Sequence, residues 1–155
     1  MQQSFDRDLM ILLHDVARIL RTRTDRAARM HGMTRAQWII LARLSKQPGI
    51  SQNELAAICE VEPITIGRLV DRLEARELVA RCSDPSDRRV WRLKLLPAAA
   101  PIIEEITAYR SELNAELVEG LTAEGLSQIT EMLVNIKEKL ALDVSGGTKL
   151  QAAEG

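Results

Sequence analysis

The sequence predicts a mainly α-helical fold with one small β-hairpin, and three observations predict it. Apolar residues recur three and four apart along most of the chain, the spacing of a buried helical stripe. Alternation at every second residue is confined to Val90–Leu95, which follows a short apolar run, Leu78–Cys82. Caps and breakers stand between the periodic stretches: Thr34, Gln47-Pro48-Gly49, Ser51, Pro63, Gly120 and Thr122.

Taken in order, Phe5 to Met30 reads as a long helix with Leu9, Leu12, Leu13, Val16, Ile19 and Leu20 on its apolar face, ended by His31-Gly32. A second helix follows the cap Thr34 and runs through Trp38, Ile39, Leu41, Ala42 and Leu44 until Gln47-Pro48-Gly49 stops it. Ser51-Gln52-Asn53-Glu54 has the capping-box form, a hydroxyl at the cap and a carboxylate three residues later. The short helix it opens packs through Leu55, Ala56 and Ile58, and Cys59-Glu60-Val61 reads as a tight turn.

The next helix is the one around which the module is built. Glu62 can open it, and Pro63 suits its first turn, where a missing N–H costs nothing. Ile66, Leu69, Val70 and Leu73 form one stripe, while Thr65, Arg68 and Arg72 share the opposite face. By itself this is an ordinary amphipathic surface helix. After it, expected to end near Glu77, come two short strands, Leu78–Cys82 and Val90–Leu95, with Trp91, Leu93 and Leu95 alternating against Arg92 and Lys94. Ser83-Asp84-Pro85-Ser86-Asp87-Arg88-Arg89 between them is a charged, turn-rich loop. Helix, turn, helix and a basic-tipped hairpin make a winged helix-turn-helix, expected over residues 34–96.

Pro97 and Pro101 precede another long helix, with Ile102, Ile103, Ile106, Tyr109, Leu113 and Leu117 apolar, and Gly120 breaks it. A last helix begins near Thr122 and carries Leu126, Ile129, Met132, Leu133, Ile136 and Leu140. Residues 5–32 and 98–141 thus form a helical region with more apolar surface than a lone pair can bury. Cover within one chain or by a second copy both satisfy it, and a homodimer is the expectation. The tail, 143–155, with Gly146-Gly147 and little apolar content, is expected to be disordered.

Composition narrows the function classes. The chain has 155 residues, 46% hydrophobic and 28% charged, enough for one domain with a core plus helical arms. No run approaches the roughly 18 apolar residues of a membrane span, and Met1–Asp8 lacks the pattern of a secretory signal, so a cytoplasmic protein is expected. The net charge of −1 conceals a division. Arg18, Arg21, Arg23, Arg26, Arg29, Arg35 and Arg43 face Asp25 alone, whereas the stretch from Ile103 to Ala141 is rich in glutamate. Cys59 and Cys82 make neither a disulfide framework nor a zinc cluster. With His14 and His31 the only histidines, and no nucleophile elbow, phosphate loop or metal-ligand cluster, no enzyme and no cofactor is expected.

Those residues carry a resemblance. From about Leu9 to Leu140 the chain resembles the MarR family of bacterial transcription regulators, through Leu55-Ala56, Leu69-Val70-Asp71-Arg72-Leu73-Glu74, Leu78-Val79-Ala80-Arg81 and Asp84-Pro85-Ser86-Asp87-Arg88-Arg89. Asp87-x-Arg89 looks like that family's wing-tip motif. The resemblance implies an obligate dimer with interlocking terminal helices, two winged modules in successive major grooves, and Arg89, oriented by Asp87, in the minor groove. It also matches Ile64, Thr65 and Arg68 to base- and phosphate-contacting positions. One departure is Glu77, where the family often has Gly. Glu takes a left-handed cap less cheaply, so a different turn into the wing is expected.

The resulting expectation is a sequence-specific double-stranded-DNA-binding regulator, a homodimeric repressor on a near-palindromic site. Its DNA-binding residues are Ser51, Gln52, Ile64, Thr65, Arg68, Arg72, Asp87, Arg88 and Arg89. Arg68 suits O6 and N7 of guanine, or a phosphate, or a pair with Asp71 or Glu74. Thr65 suits a thymine methyl, a phosphate or its own backbone. Arg72 sits one turn deeper and suits phosphate. Arg88 and Arg89 suit a narrow minor groove, and Ser51 and Gln52 a phosphate at a helix N-terminus. Release by a small anionic or phenolic ligand, implied by the resemblance, points to His14, Arg18 and Trp38, each of which also has a plain structural explanation. Two other readings are a winged module that binds protein and a cysteine redox sensor. The basic reading face opposes the first, and the family's redox branch keeps its cysteine in the first helix, where this chain has none.

Overall fold

The computed structural model describes the backbone of residues 7–150 and the side chains of residues 7–142. The order is α1 (Leu9–Met30), α2 (Arg35–Lys46), α3 (Gln52–Cys59), α4 (Pro63–Ala75), β1 (Val79–Ser83), β2 (Trp91–Leu95), a 3₁₀ turn (Pro97–Ala99), α5 (Ala100–Val118) and α6 (Ala123–Leu150). The chain divides into two compact units, Met1–Ser111 and Glu112–Gly155.

Caps set the boundaries of the first unit. Asp8, not Phe5, opens α1, because its carboxylate accepts from the backbone N–H groups of Met10 and Ile11; Phe5 lies outside the described residues. Thr34 and Ser51 each complete a capping box, with Gln37 and Glu54. Ser51 donates its N–H to Glu54 at 2.8 Å, and that bond leads the causes that hold the Glu54 carboxyl below its ordinary range. Glu60 turns the chain after α3 with φ 54 and ψ 44, a left-handed cap without glycine. Pro63 then begins α4, and Glu62 gives it no side-chain cap.

The core gathers Ile40, Leu41 and Leu44 of α2, Leu55 of α3, Ile66, Val70 and Leu73 of α4, Val79 and Leu93 of the hairpin, and Ile106 of α5. The α4 stripe is buried at all four expected positions. In α3 it is Cys59 that is buried alongside Leu55 and Ala56, while Ile58 is only half-buried, and α3 extends one residue further than the sequence suggests.

β1 and β2 pair antiparallel, with Val79 opposite Leu95, Arg81 opposite Leu93 and Ser83 opposite Trp91. The strands begin one residue later than expected. Leu93 is buried and Leu95 half-buried, but Trp91 is 45% exposed, at the loop end of the hairpin, with Ser83 across from it. The free edge of β2 meets the α2–α3 turn: Gly49 N–H donates to Leu93 C=O at 3.0 Å, and Leu93 N–H to Ile50 C=O at 3.1 Å. Gly49 turns there at φ 83, which favours glycine.

Glu77 takes the left-handed conformation, φ 55, and its N–H donates to Glu74 C=O. The turn into the hairpin therefore has the geometry a glycine would give, which corrects the expectation of a different turn. Leu78 N–H bonding Leu73 C=O and Leu96 N–H bonding Leu78 C=O hold that geometry against the cost to Glu77.

In the second unit Gly120 turns at φ 78 and the Thr122 hydroxyl accepts from Gly125 N–H at 3.0 Å. Leu126, Ile129, Met132, Leu133 and Leu140 of α6 are exposed. α6 continues to Leu150, through Gly146 and Gly147, so the tail expected to be disordered from 143 is helical over that span. A helical glycine costs only about 1 kcal/mol relative to alanine, too little to force a break. Residues 151–155 lie outside the described residues.

Candidate nucleic-acid interface

α4 is fixed by its buried stripe, and what it presents outward follows from helical geometry. Ile64 is 68% exposed, and Thr65, Arg68 and Arg72 are exposed beside it. Among the described residues Arg68 and Arg72 make no ion pair. The carboxylates Arg68 could have paired with are engaged elsewhere, since Arg81 of β1 lies 2.8 Å from Asp71 and pairs with Glu74.

The hairpin loop is built on two aspartates. Asp84 is buried, and its Oδ1 accepts from the N–H groups of Ser86 at 2.7 Å and Asp87 at 3.2 Å, a side-chain-closed turn. Its Oδ2 pairs with Arg92, whose Nη1 also donates to Gly49 C=O at 3.0 Å. The Arg92 guanidinium, then the Ser86 N–H, hold the Asp84 carboxyl down at about 2. Asp87 binds Arg89 through side chain and backbone, which lowers its carboxyl as well, and Arg88 projects freely at the tip.

Ser51 and Gln52 begin α3 against this same face. The Ser51 hydroxyl accepts from Glu54 N–H at 3.2 Å, and the Gln52 side-chain carbonyl accepts from Arg81 Nε at 2.9 Å, leaving the Ser51 hydroxyl hydrogen and the Gln52 amide to donate. Gly67 is half-buried beside Gln52 and Arg81, so its missing side chain faces protein rather than the outer face of α4.

His14, Arg18 and Trp38 are not brought together. His14 is exposed, and Arg18 pairs with Asp15 at 2.9 Å on the open surface of α1. Trp38 is buried on α2, its ring 5.3 Å from His31 and edge-on to Tyr109 at 6.1 Å. A cavity of about 420 Å³ lies instead among Ser45, Leu95, Leu96, Ala99, Ala100, Ile103 and Glu104. Its charged lining group is a carboxylate, which disfavours an anion and suits a neutral, largely apolar molecule. Burial pushes the Cys59 thiol up despite Arg35 and Arg43 nearby, the opposite of a reactive cysteine. Among the described residues there is no cluster of metal-binding side chains.

Arg81, Asp84 and Arg92 escaped the sequence reading as parts of the site. Arg81 had a signal: an arginine in register with buried Leu93 needs an acidic partner. Asp84 had another, an aspartate two residues before Ser86 in a turn.

A capped helix, a tight turn, a helix with an exposed Thr/Arg face and a hairpin tipped by guanidinium groups define a winged helix-turn-helix, a DNA-binding fold. A family model described as the MarR family matches residues 31–90. The chain is similar to the solved transcriptional regulator PA3341, at 29% identity over 86% of this chain and 98% of that one, TM-score 0.78. It is likewise similar to MarR, at 28% identity over 94% and 99%, TM-score 0.73. It shares its fold with a putative MarR family regulator from Listeria monocytogenes complexed with 26mer DNA, at 22% identity over 88% and 91%, TM-score 0.78. Over residues 31–90 the chain thus matches the MarR family, and over most of its length it is similar to solved transcription regulators of that kind.

Proposed function

We propose that the protein binds double-stranded DNA sequence-specifically as a homodimeric repressor that a small ligand releases. The observation that carries this reading is a pair of arginines, Arg68 and Arg72, with no ion-pair partner among the described residues, aimed outward from a helix whose other face is buried. Arg68 reads bases, with Ile64 and Thr65 beside it, while Arg72, Ser51 and Gln52 meet phosphate. Arg88 and Arg89 enter the minor groove with Asp87 as the holder of Arg89. The DNA-bound relative supports this assignment by fold.

The exposed apolar residues Leu9, Leu12, Val16 and Ile19 of α1, and those of α6, support a second copy as the partner that covers them. A twofold dimer implies a near-palindromic site with half-sites about one helical turn apart. Repression and ligand response are typical of the family, and the cavity beside Ile103 is the better candidate for a ligand than His14, Arg18 and Trp38. A regulator that acts on DNA in this way would work in the cytoplasm. No helix among the described residues is long and apolar enough to cross a membrane.

Duplexes selected from a random pool, titrated by gel shift from 50 to 200 mM salt, test the proposal. Affinity should fall by orders of magnitude as counterion release is suppressed. Binding that is absent at low salt, or flat across the series, would overturn it. Sedimentation velocity tests the dimer.

A further inference from the structure

The guanidinium of Arg81 is the most heavily engaged group of the hairpin. Arg81 stands in register with Leu93, on the face of the hairpin turned to the core, and its side chain is 18% exposed. Nε donates to Gln52 of α3 at 2.9 Å, and Nη2 to the Gly67 carbonyl of α4 at 3.0 Å. Nη1 pairs with Glu74 and lies 2.8 Å from Asp71 Oδ1, and the backbone N–H of Arg81 donates to Glu74 Oε1 at 3.0 Å.

Gly67, Asp71 and Glu74 form one row along α4, beside the row of Arg68 and Arg72. Asp71 is three residues beyond Arg68, the spacing at which helical side chains pair, and it is the one carboxylate on α4 so placed. An Asp71–Arg68 pair would compete directly with any contact from Arg68 to a base.

We propose that Arg81 is a positioning residue for the reading face: by holding Asp71 and Glu74 on the neighbouring row of α4 it keeps Asp71 from Arg68, and through Gln52 and Gly67 it docks the hairpin on the two helices. The inference rests on the DNA-binding reading above. Arg81 itself touches no base. It determines specificity through the freedom of Arg68.

The deciding measurement is base discrimination, the affinity ratio between the preferred duplex and duplexes changed at the one position whose preference Arg68→Ala abolishes. Arg81→Gln should lose roughly tenfold in that ratio, in keeping with the loss of one bidentate base contact. Adding Asp71→Asn to Arg81→Gln should restore the ratio although the network stays broken. Asp71→Asn alone, which removes a negative charge near the duplex, should strengthen all duplexes alike. A merely structural Arg81 would weaken every duplex together and would not be rescued at position 71.

Should Arg81→Gln unfold because Glu74 is left unmatched, the same comparison of Asp71 with Asn is made on an Arg81→Gln/Glu74→Gln background. Wild-type discrimination in Arg81→Gln, or failure of Asp71→Asn to restore it, overturns the inference while leaving the DNA-binding reading in place. A wild-type protein that binds no duplex at 50 mM salt overturns the DNA-binding reading itself.

Discussion

Asp87 holds Arg89 from two residues away by three hydrogen bonds. Its Oδ1 accepts from the Arg89 backbone N–H at 3.0 Å and from Nε at 3.1 Å, and its Oδ2 accepts from Nη2 at 3.2 Å. The side chain of Arg89 is nevertheless 91% exposed. An exposed pair of this kind adds little stability; its effect is to restrict where a long, flexible cation can point. Arg89→Ala should therefore weaken binding to every duplex and reduce the slope of log affinity against log salt by about 1. Asp87→Ala, which leaves the Arg89 charge in place and removes only its restraint, should cost less. Gel shifts at several salt concentrations separate the two.

Arg68→Ala should behave differently. With no intramolecular partner among the described residues, Arg68 has nothing to lose on truncation but its contacts to DNA. Folding stability should stay within about 0.5 kcal/mol of wild type, while discrimination at one base pair falls by about 1–3 kcal/mol. Thermal melting and competition binding against single-position variants check the two halves.

Glu77 occupies a left-handed conformation, φ 55, that a residue with a Cβ adopts at a cost. Glu77→Gly should stabilise the protein by roughly 0.5–1 kcal/mol, the relief of that cost less the greater freedom of glycine in the unfolded chain. DNA affinity should not change, because the turn already has the geometry glycine would give. Chemical denaturation of the two proteins at one pH measures it.

Asp84 gives a pH signature. Its carboxyl titrates at about 2 in the fold, chiefly because of Arg92, against about 3.9 in an unfolded chain. A depressed acid contributes stability that is present above the unfolded value and lost as pH falls through the folded one. Asp84→Asn should thus melt below wild type at pH 7, and the gap should close between about pH 4 and pH 2. A gap that persists at pH 2 would show that the destabilisation comes from packing and not from charge.

How much was legible in the sequence follows the range of the interactions. Caps and stripes are local, so the Thr34 cap of α2, the α3 box and the buried face of α4 could be read from spacing alone. The motif at Asp87 and Arg89 is local too. Cys59, Trp91 and Glu77 were harder. Whether Cys59 is buried depends on where α3 stops, Trp91 on what lies across from the loop end of a strand, and Glu77 on bonds from Leu73 and Leu96 that override its own preference. The parts of the site that went unread, Arg81 and Arg92, act on residues far along the chain, Gln52 and Gly49. Trp38 of α2 and the α1 residues His14 and Arg18 show the same limit, since spacing along the chain does not say what residues on two elements touch.

The two hydrogen bonds between Leu93 and the turn at Gly49 and Ile50 make β2 an inner strand, bordered on one side by β1 and on the other by the lead-in to α3. A hairpin fastened along both margins cannot swing as a free arm. With Arg92 pinned to Gly49 and Arg81 to α4, the tip bearing Arg89 and the helix bearing Arg68 keep a constant separation, like two points of one calliper locked at its setting. On the proposed function, release from DNA re-aims this instrument as a whole.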